Sequence, residues 1–197
     1  MFSFLRLLIC IIIAWIAFRF IKPISPKGRK IKIIGYVISV ALASTMLTLV
    51  PIENSIYTFK SPEAAYKYFD YRCEVQFVVE GDECDFVIAK EGSYTTIYDI
   101  IPKTEDGWNV PVNFDTEVAD YKSGDVNLTL WRYKPTDEYF IYVRVPDPST
   151  KVTISDCYGS TFYSFENNRK FDYYAAIKDF DSQYVLTVDG TEYKFNK

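Results

Sequence analysis

Histidine is missing from all 197 positions of the chain. A Ser-His-Asp or Cys-His catalytic unit is thereby excluded, as are histidine metal ligands and a histidine pH switch. No G-x-x-x-x-G-K-[ST] or G-x-G-x-x-G pattern occurs, so the usual phosphate-cradling loops are absent too. The D-x-[DN]-x-[DN]-G calcium loop is also missing. What remains is carboxylate, lysine or tyrosine chemistry, and no residue pattern assigns a catalytic role, a metal or a cofactor.

Acids are missing from the first 52 positions, where seven basic residues stand. The following 145 residues hold 15 basic and 26 acidic residues, a net charge of −11. So acidic a region is repelled by phosphate backbones, which argues against nucleic acid as a partner. The N-terminal part contains two apolar stretches of 20 residues, Phe2 to Ile21 and Ile33 to Ile52. A helix of that length rises about 30 Å, the thickness of a bilayer's hydrocarbon core. Between them lie Lys22, Lys27, Arg29, Lys30 and Lys32 with no acid. Short basic loops stay on the cytoplasmic side, which predicts a multi-pass cell-membrane protein with its N-terminus and C-terminal domain outside. Gly35 with Ser39, and Ala41 with Thr45, give the small-residue spacing that lets helices approach in lipid.

Cysteine is sparse, with Cys73, Cys84 and Cys157 beyond the apolar stretches. A turn at Gly81-Asp82 would set Val79 opposite Cys84. Cys73 then lies six residues further along, about 20 Å away, well beyond the roughly 7 Å that a disulfide spans between Cα atoms. The odd count and the missing framework favour small buried thiols.

From residue 53 onward the patterns are those of a β-rich domain. Ser61-Pro62-Glu63 reads as an N-cap, a proline at the first helical position and an acid in the first turn, opening a short helix to about Phe69 with Ala65 and Phe69 on its buried face. From Cys73 the apolar period becomes two, as in Val75, Phe77 and Val79, then Val126, Leu128 and Leu130, then Tyr139, Ile141, Val143 and Val145. Asp189-Gly190 is the clearest hairpin, because Asp-Gly suits a type I′ turn. The segment from Asn109 to Asp125 is less regular, and a soft boundary near Phe114 divides a helix-plus-meander region, 53–113, from an all-β region, 114–197. Strands are predicted in the latter near 126–134, 138–146, 151–155, 161–165, 171–178, 183–188 and 191–196. In general pattern this region looks like an immunoglobulin-like sandwich, a likeness of architecture that carries no function. The fold class predicted for the whole chain is a membrane-anchored α+β protein, with a two-helix transmembrane hairpin over 1–52 ahead of the β-rich domain.

Acids cluster at Asp82, Glu83 and Asp85 and again at Asp179 and Asp181. At turns such acids cap backbone groups and face water. A hydrolase needs two carboxyls about 5 to 10 Å apart, one of them buried. Aromatics number 29 in the last 145 residues. Trp131, Tyr133, Phe140 and Tyr142 fall on the opposite side of their strands from Leu128, Leu130, Ile141 and Val143. If those strands are neighbours they form an aromatic face, either a candidate binding surface or a packing face for the helix-plus-meander region.

These observations predict a non-catalytic, membrane-anchored extracytoplasmic binding or assembly module of the cell envelope. Its partners would be the lipid bilayer and another envelope or membrane protein, or an extracellular peptide or glycan. Two other readings are an accessory subunit of a transporter, channel or sensor acting through its helices, and a carboxylate-dependent outer-surface hydrolase.

Overall fold

In the computed structural model the described residues are 4–20, 33–38, 40–41, 45, 51–92, 95–111, 116–167 and 169–195. They form a mostly β protein, which replaces the predicted membrane-anchored α+β class. Among the described residues no helix is long and apolar enough to cross a membrane. The first apolar stretch makes one helix, α1 (Phe4–Phe20), of 17 residues with Arg19 in its last turn. Its rise is roughly 25 Å, short of the hydrocarbon core. Of the second stretch only 33–38, 40–41, 45 and 51–52 are described. The basic loop with Lys22, Lys27, Arg29, Lys30 and Lys32 lies outside the described residues. The described residues therefore do not support the transmembrane hairpin, the multi-pass membrane location or the outward orientation.

A 3-10 turn at Ile52–Ser55 leads to α2 (Pro62–Phe69). Ser61 caps α2 by accepting the Ala64 N–H at 3.2 Å, and Pro62 opens it. Ala65 and Tyr66 are fully buried, while Phe69 is only partly so.

The strands are β1 (Cys73–Glu80), β2 (Cys84–Glu91), β3 (Thr95–Thr104), β4 (Gly107–Trp108), β5 (Thr116–Ser123) and β6 (Val126–Tyr133). They continue with β7 (Glu138–Arg144), β8 (Ile154–Asp156), β9 (Tyr163–Asn167), β10 (Lys170–Ile177), β11 (Val185–Val188) and β12 (Thr191–Lys194). Three antiparallel sheets result, ordered β1-β2-β3-β4, β5-β6-β7-β10-β9 and β12-β11-β8. The proposed boundary at Phe114 falls in 112–115, outside the described residues. Asp189 and Gly190 both take positive φ, 47° and 82°, in the tight turn between β11 and β12, as a type I′ hairpin requires.

Side-chain alternation stacks these elements in four layers. One face of the four-stranded sheet, with Val75, Val78, Val87, Ala89 and Ile101, packs on Ala65 and Tyr66 of α2. Its other face, with Phe77, Val79, Phe86, Ile88, Tyr98 and Ile100, packs on the five-stranded sheet. The far side of that sheet, with Leu128, Leu130, Ile141, Val143 and Ala175, meets Tyr184, Leu186 and Val188 of the three-stranded sheet region. The centre of the five-stranded sheet is thus covered on both faces, and β7 is buried at five consecutive positions, Tyr139 to Val143.

Two details of β1 depart from strict alternation. The register shifts between Val75 and Phe77, where a bulge sends Val75 to the helix side and Phe77 and Val79 to the sheet side. Val79 stands opposite Phe86 instead of Cys84, and Cys73 stands opposite Glu91. Cys73, Cys84 and Cys157 are all free thiols; the first two are buried and Cys157 is exposed.

Candidate functional site

The predicted aromatic face exists, and it is covered. Trp131, Tyr133, Phe140 and Tyr142 share one side of β6 and β7 and are 7%, 7%, 0% and 8% exposed, so they are not a free surface. Phe86 of the four-stranded sheet lies between them, 5.3 Å from Phe140 in a stacked arrangement and 4.9 Å from Trp131 in a tilted one. Tyr98 adds contacts to Trp131 at 5.1 Å and to Tyr142 at 6.3 Å. The packing alternative accounts for these four residues.

The cover is incomplete. On the same face the strand register sets Asp120 beside Thr129 beside Tyr142, and Lys122 beside Asn127 beside Arg144. These six side chains, joined by Tyr121, line an open cleft of about 440 Å³. Thr129 donates to Asp120 Oδ1 at 2.7 Å. The Tyr142 hydroxyl donates to Asp172 Oδ1 at 2.8 Å and accepts a long bond, 3.4 Å, from Arg144 Nε. The Arg144 guanidinium also lies over the Tyr142 ring, 5.5 Å from its centroid. Burial pushes the Tyr142 hydroxyl up to about 12, with Arg144 opposing and Asp172 reinforcing the shift. At neutral pH that hydroxyl is therefore a proton donor and not a phenolate. Neither Lys122 nor Arg144 forms an ion pair among the described residues. The cleft offers ammonium, guanidinium, amide, hydroxyl and carboxylate groups on rigid neighbouring strands.

The predicted acid clusters serve the fold. Asp85 is 1% exposed, and its carboxylate meets Lys103 Nζ at 2.7 Å, Trp108 Nε1 at 2.6 Å and the Gly81 N–H at 3.2 Å. Exposed Asp82 lies 3.5 Å from Lys178. Asp179 and Asp181 accept the N–H groups of Phe180 and Gln183, as turn acids do. The turn between β1 and β2 holds Glu138, a residue the sequence did not mark. Its carboxylate accepts the N–H groups of Asp82, Glu83 at 3.1 Å and Cys84 at 2.9 Å, and the Cys84 thiol at 2.9 Å. Burial first, and Glu138 next, push that thiol far above its ordinary range, so it is not a nucleophile. Gly81 is required here, because a Cβ would come within 2.3 Å of Glu138 Oε1 and 2.4 Å of the Cys84 carbonyl oxygen.

A second cavity of about 200 Å³ borders this turn, and a third of about 190 Å³ lies between Glu53, Ile56, Tyr57, Phe59 and Tyr68. Buried carboxyls among the described residues are Glu53 and Asp85, and neither lines the polar cleft. No group of three or more Cys, Asp or Glu among the described residues is arranged to hold a metal ion. Asp99, half-buried on β3, has its carboxyl pushed up to about 7, by burial first and by the Asp70 charge second.

No family model, curated protein or solved structure matches this chain.

Proposed function

We propose that the protein is a non-catalytic binding module whose ligand occupies the polar cleft on β5, β6 and β7. The observation that carries this reading is the change of chemistry along one sheet face. Aromatic side chains fill the covered part, and Asp120, Lys122, Asn127, Thr129 and Arg144 stand where the cover stops. Strand-borne side chains are held more firmly than loop-borne ones, which suits recognition. The cleft's carboxylate, Asp120, already accepts a hydroxyl donor, and its tyrosine is held protonated. The ensemble thus favours hydrogen bonding and charge pairing over acid–base chemistry.

The test is a heteronuclear NMR titration of the full chain with separate pools of short peptides and oligosaccharides. A binding module gives saturable shifts centred on Asp120 to Thr129 and Tyr142 to Arg144, with the ligand recovered unchanged. Shifts confined to other regions, or turnover of the ligand, would overturn the reading.

A further inference from the structure

Sheet edges expose unpaired N–H and C=O groups, and proteins blunt them with short strands, bulges or covering segments. Most edges here are blunted. The strands β4, β8, β9 and β12 have two, three, five and four residues, and β1 carries the bulge at Val75 to Phe77. The exception is β5, at the edge of the five-stranded sheet. It pairs with β6 over eight consecutive residues without a register shift. No backbone hydrogen bond joins its other side to the described residues.

The side chains beside that open edge have a definite order. Val118, Asp120 and Lys122 point to the face where the cleft lies, since they stand opposite Trp131, Thr129 and Asn127. Val118 is 56% exposed although its cross-strand neighbour Trp131 is almost buried, because the four-stranded sheet's cover ends before β5. Along the edge the cleft side therefore reads apolar, acidic, basic, with Arg144 reinforcing the basic end.

We propose that the ligand of the cleft is an extended peptide that adds to β5 as a sixth, antiparallel strand. This rests on the binding reading above. Main-chain hydrogen bonds to β5 supply affinity, and every second side chain supplies specificity. In the antiparallel sense the residue opposite Lys122 comes first, and the pattern is acid-x-base-x-apolar. The acid meets Lys122, the base meets Asp120, and the apolar side chain packs on Val118.

The probe is the capped heptapeptide Thr-Asp-Thr-Arg-Thr-Val-Thr, titrated into the full chain alongside a control with its aspartate and arginine exchanged. The expected result is saturable binding with slowed amide exchange at alternate β5 residues, and binding up to about fivefold weaker for the control, since a directly opposed charge pair in a sheet contributes on that scale. Lys122→Glu should reverse the preference, favouring a peptide with lysine in place of the aspartate. Three results would overturn the inference. In one, neither peptide binds at millimolar concentration while the oligosaccharide pool still shifts Asn127, Thr129 and Arg144, so the binding module stands and its peptide ligand does not. In another, neither pool shifts the cleft and both proposals fail. In the third, β5 amides are protected without peptide in a dimer that dissociates on dilution, and the added strand is a second copy of the chain.

Discussion

One face of the five-stranded sheet carries two kinds of surface on the same strands. Under the four-stranded sheet lie Trp131, Phe140 and Tyr174, buried and packed on Phe86 and Tyr98. Further along β6 and β7, and on neighbouring β5, lie Asp120, Lys122, Asn127, Thr129 and Arg144, around a cleft open to solvent. Backbone geometry is common to both, so the difference belongs to what covers each part. The covered part holds the sheets together, and the uncovered part is free to recognise something else.

The strongest way to break this division is at Phe86, which is fully buried at the centre of the aromatic seam. Phe86→Ala removes stacked and tilted partners on both sheets and leaves a cavity, at about 3 to 5 kcal/mol. Urea unfolding should show that loss. A loss below about 1 kcal/mol would mean that the seam does not join the two sheets.

Glu138 joins the same two sheets through polar contacts. Glu138→Ala leaves the N–H groups of the turn between β1 and β2 without their carboxylate acceptor, an expected loss of about 2 to 3 kcal/mol. Hydrogen exchange at Glu83 and Cys84 should accelerate well ahead of exchange in β6. Unchanged protection there would show that the turn holds its shape without Glu138.

How much of this was legible beforehand depended on burial symmetry. Ser61-Pro62 located α2, and Asp189-Gly190 located the last hairpin, because each is a local signal that needs no tertiary context. The strand β5 was missed. It is exposed on both sides at many positions, and Val118 next to Ala119 breaks the period of two. The bulge was also invisible, since a one-residue insertion flips the face without altering composition. The cover over the aromatic face did leave a trace. Tyr139 to Val143 is apolar at every position, as in a strand buried on both faces. The cleft left none, because polar residues on a strand read as ordinary solvent-facing positions until a neighbouring sheet stops short beside them. The predicted hairpin fails for a different reason: among the described residues the first apolar run forms a helix of 17 residues, and no helix is long and apolar enough to cross a membrane.

Asp99 reverses the rule that covered positions are apolar, since its largely buried carboxyl feels both Tyr66 of α2 and Asp70. The folded protein holds this proton up to about pH 7, whereas the unfolded chain releases it near 3.8. Folding is therefore favoured below pH 4, loses that advantage progressively between pH 4 and 7, and loses no more above it. Asp70 is held below its ordinary value by Arg72, so its own effect appears only below about pH 4. With discounting for partial exposure, the Asp99 effect is on the order of 2 kcal/mol. Asp99→Asn should stabilise the protein at pH 8 by that amount and change little at pH 4. Equal effects at both pH values would place the titrating group elsewhere.

The smallest stability effect belongs to a cation of the cleft. Arg144 is exposed and makes one long hydrogen bond and one ring contact, both to Tyr142. Arg144→Gln should therefore change unfolding free energy by no more than about 0.5 kcal/mol. The same substitution removes the forked cation from the cleft's basic end and should weaken binding of an acidic partner several-fold, mostly through faster dissociation. Phe86→Ala and Arg144→Gln then separate the two surfaces, one costing stability and the other affinity. If Arg144→Gln instead destabilised the protein as much as Glu138→Ala, the guanidinium would be part of the fold, and the cleft would lose its strongest free donor.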